Sequence, residues 1–149
     1  MKVRNVMTTH PSVVSRSSTI AEAACVMRDR RIRMLPVIDD LCVRTLVGVI
    51  TDNDIVTRCV ASGHGSGCRV GAHMTSVDLA HVAADAEIDD VVAVMQSRSL
   101  SRLPVIDESD RVTGIITLAD LAARMETEDA HAIEEVEQSI SAAHLMAVR

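Results

Sequence analysis

The chain has 149 residues, of which 48% are hydrophobic and 24% are charged, and this balance excludes a disordered protein. Its net charge of −6 and its lack of any Phe, Tyr or Trp argue against nucleic acid as a partner, because single-strand binders use basic grooves and aromatic stacking. No apolar run reaches the roughly 20 residues of a membrane helix and the N-terminus lacks a signal-peptide core, so we expect a cytoplasmic protein without a membrane partner.

The first part of the chain predicts one β-α-β-β-α unit. A β-branched stretch at 12–15 predicts a short strand, and Thr19 with Glu22 has the spacing of a capping box at a helix start. An apolar run at 35–38 predicts a buried strand, and a turn joins it to a second strand at 46–50 that we expect to be covered on both faces. A last helix begins near Thr51. The predicted buried face of the first helix consists of Ile20, Ala23, Ala24 and Met27, with Cys25 as a further core residue.

A glycine-rich segment at 61–69 follows and predicts a flexible connector. Four residues on or beside it have the spacing C-x4-H-x3-C-x4-H, and thiolate and imidazole are ligands of tetrahedral zinc. The spacing is not that of a standard zinc finger, so two hypotheses stay open: a zinc- or redox-responsive site, or an exposed loop that carries these residues by chance. The four residues are Cys59, His64, Cys68 and His73.

The second part of the chain repeats the first. The pentapeptide LPVID at 35–39 recurs in full at 103–107, and the dipeptide MT at 7–8 recurs at 74–75. The octapeptide GVITDNDI at 48–55 recurs as GIITLADL at 114–121. The order is kept and the spacing hardly drifts, which chance similarity would not preserve. The second copy therefore predicts a strand at 79–82, a helix with Ile88, Val91, Val92 and Met95 on one face, a strand at 103–106, a strand at 112–116 and a helix from Thr117.

The end of the chain is acidic. From Glu126 onward it carries six acidic residues and one Arg, whereas residues 1–125 are nearly neutral and would not strongly repel an anionic ligand. We expect a helix at about 127–147. An apolar stripe on this helix consists of Ile133, Val136, Ile140 and Ala143. We expect the stripe either to dock on its own domain or to mediate self-association.

The ordered, doubled set of these motifs resembles a pair of cystathionine-β-synthase (CBS) domains, also called a Bateman module, over residues 3–126. The resemblance implies an α/β fold of two β-α-β-β-α repeats packed sheet to sheet with pseudo-two-fold symmetry, plus a C-terminal helix. The domains are then CBS domain 1 at 1–60, a Gly-rich linker at 61–69, CBS domain 2 at 70–126 and an acidic C-terminal helix at 127–149.

The same resemblance implies a regulatory, signal-transducing module without enzymatic activity. Such a module binds AMP, ADP, ATP, NAD or S-adenosylmethionine in clefts between the copies, forms a homodimer and controls an effector protein, here unidentified. The chain has no P-loop lysine motif and no Ser-His or Cys-His elbow, so we expect no catalysis and no cofactor besides the regulatory nucleotide. A purely structural dimer with empty clefts is the remaining alternative.

The G-h-h-T-x-x-D unit runs from a strand into a helix start, where a hydroxyl and backbone N–H groups suit a phosphate. A carboxylate one turn later suits the two hydroxyls of a ribose. The resemblance places Thr51 and Asp54 in one cleft, and Thr117 and Asp120 in the other. Helix capping explains the same residues without a ligand, and the two roles are compatible.

Further residues are assigned to the clefts by the resemblance. Arg33 and Arg102 either reach a phosphate or solvate a strand edge. Asp78 departs from the small residue or proline common in the family and would repel phosphate, which weakens the case for the cleft of Thr51. Without aromatic residues, adenine would lie against aliphatic side chains with moderate affinity. The set is completed by Met34, Ser101, His10, Ser12 and Ala80.

Overall fold

The computed structural model describes residues 1–124 and 130–146, and the side-chain surroundings of 1–124 and 133–143. The chain forms two compact units. The repeat-1 unit comprises Ser12–Leu79 and Ser109–Val112, and the repeat-2 unit comprises Met1–Pro11, Ala80–Glu108 and the described residues from Thr113 onward. Each unit therefore contains the segment that precedes the other repeat in sequence.

The described residues form short strands and α-helices in the predicted order. The strands are β1 (Thr8–Thr9), β2 (Val14–Ser15), β3 (Met34–Ile38), β4 (Leu46–Thr51), β5 (Val82–Ala83), β6 (Arg102–Ile106) and β7 (Val112–Thr117). The helices are α1 (Ile20–Arg30), α2 (Asp52–Asp54), α3 (Ile88–Arg98), α4 (Leu118–Ala122) and α5 (Ala130–Met146). Helix α2 continues as a π-helical segment over Ile55–Val60. This confirms an α/β fold with two β-α-β-β-α repeats.

Each unit has its own sheet. In the repeat-1 unit the strand order is β2-β3-β4, with β2 parallel and β4 antiparallel to β3. In the repeat-2 unit the order is β1-β7-β6-β5, with β5 parallel to β6 and β1 antiparallel to β7. Strand β1 precedes the first repeat in sequence but pairs with the last strand of the second, a non-local contact that hydrophobic periodicity does not encode.

Gly48 and Gly114 hold equivalent positions where another segment crosses the sheet closely. A Cβ atom on Gly114 would lie 2.6 Å from Met7 Sδ and 2.9 Å from the carbonyl oxygen of Thr8. A Cβ atom on Gly48 would lie 2.8 Å from the carbonyl oxygen of Thr75. Both positions need glycine because only a residue without a side chain permits so close an approach of backbone. The two Met-Thr pairs therefore lie against the strands that lead into the candidate site.

Helix α1 begins with the predicted capping box. The Thr19 hydroxyl accepts a hydrogen bond from the Glu22 N–H at 3.2 Å, and the Glu22 carboxylate accepts one from the Thr19 N–H at 2.7 Å. Strand β3 is buried at every position, as predicted. On the helices that cover the sheets, the predicted faces bury Ile20, Ala23, Met27, Ile88, Val91 and Met95.

Two expectations about burial are wrong. Cys25 and Ala24 are exposed rather than in the core, because the buried stripe of α1 is narrow and both residues lie beside it. Strands β4 and β7 are buried only at alternate positions rather than on both faces, although β4 is an edge strand and β7 a central one, so one face of each strand is only partly covered. The flexibility of the glycine-rich segment stays a prediction; its residues Cys68 and Ser66 accept, through their carbonyls, the N–H groups of Ile20 and Ala21 at 2.8 and 2.9 Å.

Helix α5 docks on its own unit, packing against α3 and α4. Ile133 and Val136 are buried in the repeat-2 core and Ile140 is partly buried there, whereas Ala143 is exposed. The predicted ends of this helix at Thr127 and Ala147 lie outside the described residues. Within the described part of the chain, no helix is long and apolar enough to cross a membrane.

Candidate functional site

Two helix starts carry the predicted Thr–Asp unit, and both form capping boxes. The Thr51 hydroxyl accepts from the Asp54 N–H at 3.1 Å, and the Asp54 carboxylate accepts from the Thr51 N–H at 3.0 Å. The equivalent bonds between Thr117 and Asp120 are 3.2 and 2.9 Å, and the Thr117 hydroxyl also donates to Asp120 Oδ2 at 2.7 Å. The capping role is therefore present in both repeats.

The residues before β3 and β6 meet these helix starts through the backbone. The N–H of Asp52 donates to the Arg33 carbonyl at 3.1 Å, and the N–H of Leu118 donates to the Ser101 carbonyl at 3.0 Å. Met34 pairs with Thr51 across the sheet and is buried. The structure thus brings these predicted residues together with their Thr–Asp unit in each repeat.

The segments before β2 and β5 meet the same strands less directly. In the repeat-2 unit Thr8 pairs with Ile115 and Thr9 with Gly114, so the antiparallel register carries the chain away from Thr117 before it reaches His10. In the repeat-1 unit Thr75 pairs with Val49 in the same way. His10 and Asp78 then both have φ near 50°, which marks equivalent left-handed turns. Ser12 and Ala80 follow these turns, Ser12 in the repeat-1 unit and Ala80 in the repeat-2 unit.

Charged groups fill the start of α2 in the repeat-1 unit. Arg33 Nε lies 2.7 Å from Asp52 Oδ2, and Asp52 Oδ1 accepts the N–H of Asn53 at 2.8 Å. Arg58 Nε lies 3.5 Å from Oδ1 of the buried Asp54 and also donates, through a terminal nitrogen, to the carbonyl of Met74 at 3.3 Å. Sequence reasoning missed Asp52 and Arg58, although the i, i+4 spacing of Asp54 and Arg58 is a recognisable signal.

At the start of α4 in the repeat-2 unit, fewer charged groups are engaged by ion pairs. Leu118 and Ser101 stand where repeat 1 has Asp52 and Arg33, so the ion pair has no counterpart. Among the described residues, no cation pairs with Asp120 and its Oδ1 has no partner. The Arg102 side chain is partly buried and forms no ion pair with a described residue. One oxygen of Asp120 and the guanidinium of Arg102 are therefore not engaged by the described residues.

The cysteine and histidine residues beside the connector also come together. The ligand atoms of Cys59, Cys68 and His73 all lie within 4.8 Å of one another. The ring of the exposed His64 has its centroid 5.1 Å from that of His73. Burial, and to a lesser degree the neighbouring Cys68, raise the pKa of the Cys59 thiol. The loop is thus a second place where side chains that could bind a metal lie close together.

Comparison with known proteins gives consistent results. Hypoxic response protein 1 of Mycobacterium tuberculosis is 32% identical over 122 residues, which cover 82% of this chain and 83% of that protein. A crystal structure of Hypoxic Response Protein I with two coordinated zinc ions has a TM-score of 0.77 at 31% identity, covering 85% of this chain and all of that one.

Two further solved structures contain adenine ligands. The CBS domain pair of protein MJ0100, in complex with 5-methylthioadenosine and S-adenosyl-L-methionine, has a TM-score of 0.69 at 28% identity over 83% of this chain and 94% of that one. CBSX2 in complex with AMP has a TM-score of 0.69 at 27% identity over 82% of this chain and 93% of that one. The CBS domain family model matches twice, at residues 3–61 and 70–127, and the chain therefore belongs to the CBS domain family as a tandem pair.

Proposed function

We propose that this CBS pair is a regulatory module that binds an adenine nucleotide and does not itself catalyse a reaction. The observation that carries the proposal is the duplicated Thr–Asp unit, formed with the same hydrogen bonds in both repeats. AMP in CBSX2 and S-adenosyl-L-methionine with 5-methylthioadenosine in the MJ0100 pair support an adenine ligand.

Each residue has a role that follows from its chemistry. Asp120 and Asp54 accept hydrogen bonds from the two ribose hydroxyls, because an ionised carboxylate offers several acceptor positions. The Thr117 and Thr51 hydroxyls and the nearby backbone N–H groups face the phosphate, and Arg102 supplies a cation to it. Ser101, Met34, His10, Ser12 and Ala80 complete the proposed binding residues, with Arg33 in repeat 1.

We expect the site of Asp120 to bind more tightly than the site of Asp54. Arg58 already engages the free oxygen of Asp54, and Asp52 already engages Arg33. A nucleotide must displace these partners in repeat 1, whereas Asp120 and Arg102 have no described ion pair to lose. The ligand then acts by changing the conformation or association of a homodimer in the cytoplasm, which an effector protein detects.

Isothermal titration calorimetry with AMP, ADP, ATP, NAD and S-adenosylmethionine tests the proposal. Asp120→Ala should weaken nucleotide binding about 10- to 100-fold, because a hydrogen bond to a charged group is worth about 1.5–3 kcal/mol. Asp54→Ala should have a smaller effect, and the double variant should bind none of the five at millimolar concentration.

Glu22→Ala is the matched control. Glu22 completes the same type of capping box at α1, so its loss costs about the same stability as the loss of either Asp. It has no proposed contact with the ligand, and its affinity for nucleotide should equal that of the wild type. Wild-type affinity in the Asp54→Ala plus Asp120→Ala variant would refute the proposal.

A further inference from the structure

The nucleotide proposal leaves the cysteine–histidine loop of the repeat-1 unit without a role. Cys59 is 1% exposed and His73 is 5% exposed, while Cys68 is partly buried. Their ligand atoms lie within 4.8 Å of one another, although the three residues come from different turns of the chain. Two sulfurs on a tetrahedral zinc with bonds of about 2.3 Å lie roughly 3.8 Å apart, so a small side-chain movement closes the cluster.

His73 is an unexplained polar residue in an apolar place. Its Nε2 is buried and forms no hydrogen bond with the described residues, and an unpaired buried polar atom costs free energy. The equivalent position of repeat 2, counted from the repeated Met-Thr pair, is Val6, which is 7% exposed and belongs to the repeat-2 core. The fold thus accepts a valine at this position. A histidine there needs a ligand or a hydrogen-bond partner to offset the free-energy cost of burying its imidazole.

His64 supplies a fourth donor. Its ring centroid is 5.1 Å from that of His73, and the rings are tilted by 51°. Two imidazoles that share one tetrahedral zinc at about 2.0–2.1 Å have centroids roughly 5 Å apart. Because His64 is exposed at the tip of the loop, its side chain can turn toward the two sulfurs without disturbing the core.

The loop holds these donors in place through its own hydrogen bonds. The Cys59 thiol donates to the carbonyls of His64 and Gly65 at 3.9 and 3.6 Å. The carbonyls of Cys68 and Ser66 are bonded to the first turn of α1. The segment is therefore closed on itself before any ion binds, and binding needs little additional ordering.

We propose that Cys59, Cys68, His73 and His64 bind one Zn²⁺ ion within the repeat-1 unit. Two thiolates and two imidazoles are a donor set that favours zinc over hard cations such as Mg²⁺ or Ca²⁺. Binding releases the two thiol protons to solvent, and the two thiolate charges then balance the charge of the ion. The ion also gives the buried imidazole of His73 its missing partner.

Zinc content per chain, measured by elemental mass spectrometry on reduced protein loaded with ZnCl₂ and desalted, tests this proposal. The wild type should retain one zinc per chain. Cys59→Ser, Cys68→Ser and His73→Val should each lower the zinc affinity in a chelator competition by more than the roughly 10- to 100-fold typical of losing an outer-shell partner. His64→Ala should weaken binding less, because three ligands remain.

The variants are chosen so that misfolding does not decide the result. His73→Val introduces the residue that repeat 2 already has, so it should fold and lose only the metal. Cys25→Ser, which changes an exposed cysteine outside the cluster, should retain zinc like the wild type. With cobalt in place of zinc, the wild type should show thiolate-to-metal charge-transfer absorption, and Cys59→Ser should lose most of it.

Three results would overturn the proposal. One is a reduced wild type that retains no zinc after desalting. Another is a folded His73→Val variant that binds zinc with wild-type affinity. A Cys59–Cys68 disulfide that forms in place of metal binding, detected by mass spectrometry in protein kept under glutathione, would also refute it in favour of a redox site.

Discussion

The two helix starts share one backbone and differ in their charges. In repeat 2 the helix capped by Thr117 has a leucine at its first position, and one oxygen of Asp120 has no partner among the described residues. In repeat 1 the equivalent first position is Asp52, which pairs with Arg33 and also accepts the Asn53 N–H. The carboxylate of Asp52 therefore occupies the donors that an anionic ligand would otherwise use.

This difference shows how a duplicated fold can separate two tasks. The shared frame consists of the sheet, the capping boxes and the close glycine crossing, and it is present in both repeats. The residues that vary are those that decide whether the site is open or already filled by the protein's own charges. Repeat 1 has in addition a cysteine–histidine loop, whereas repeat 2 has a docked terminal helix.

The shared frame predicts the largest effects. Gly48→Ala and Gly114→Ala each introduce a Cβ less than 3 Å from a backbone carbonyl oxygen, which cannot move away as a flexible side chain can. Each substitution should therefore lower the free energy of unfolding by about 1–3 kcal/mol, the usual cost of overpacking. Urea unfolding followed by circular dichroism measures both variants.

Gly67→Ala is the control for that comparison. A Cβ on Gly67 meets nothing within 4 Å, and the residue lacks the positive φ of Gly63. Its substitution should leave stability unchanged or raise it by up to about 1 kcal/mol through the unfolded chain. If Gly48→Ala were harmless while Gly114→Ala was not, the two crossings would not be equivalent and the comparison of the repeats would fail.

The sequence alone predicts what depends on neighbours along the chain. The capping boxes at Thr19, Thr51 and Thr117 join residues three apart, and strand β3 is one continuous apolar run, so both were predictable. The pairing of β1 with β7 joins residues more than 100 positions apart, and no local pattern encodes it. The exposure of Cys25 was mispredicted because hydrophobicity does not fix the width of a buried helix stripe.

The candidate site was likewise predictable from the sequence only in part. The Thr–Asp unit could be found in the sequence because it is repeated, but the partners of its carboxylates could not. Whether Asp54 is engaged depends on where the Arg58 side chain turns, and that is decided by the carbonyls of His73 and Met74. The convergence of Cys59, Cys68 and His73 likewise depends on how the connector folds back on α1.

Asp52→Asn should open the filled site and produce an effect of intermediate size. The substitution removes a negative charge beside the proposed phosphate position and releases Arg33. Because such a partly exposed ion pair is worth about 0.2–1 kcal/mol, AMP affinity in repeat 1 should rise by a factor of about 1.4 to 5. Calorimetry in an Asp120→Ala background measures the repeat-1 site alone.

Asp29→Asn is the matched control for that experiment. Asp29 forms an exposed pair with Arg28 at 2.8 Å on α1, and neither residue belongs to the proposed site. Its substitution should change the net charge equally and leave AMP affinity unchanged. An equal gain in both variants would show that net charge, rather than the filled site, limits binding in repeat 1.

The smallest predicted effect concerns how the two long helices begin. Helix α1 uses the Thr19–Glu22 capping box, whereas Glu87 at the start of α3 forms no side-chain cap and pairs with Lys2 at 2.6 Å and with the Met1 amino group at 2.9 Å. The hydrogen bond from Lys2, followed by that from the amino group, lowers the pKa of Glu87 from 4.5 to about 2. A carboxylate whose pKa is lowered by folding stabilises the folded state at pH values above its pKa in the unfolded chain.

Glu87→Gln should therefore be less stable than the wild type near neutral pH, by an amount that shrinks as the pH falls from about 4.5 to about 2. Urea midpoints measured across this pH range report the difference in stability between the variant and the wild type. Added salt should reduce that difference, because the ion pair of Glu87 is exposed to solvent. Glu22→Gln removes a carboxylate from the other helix start, where no described lysine or amino group pairs with it, and its stability difference from the wild type should respond less to salt. A Glu87→Gln difference that stayed constant from pH 6 to 2 would mean that the Glu87 charge does not stabilise α3, and the two helix starts would then be electrostatically alike.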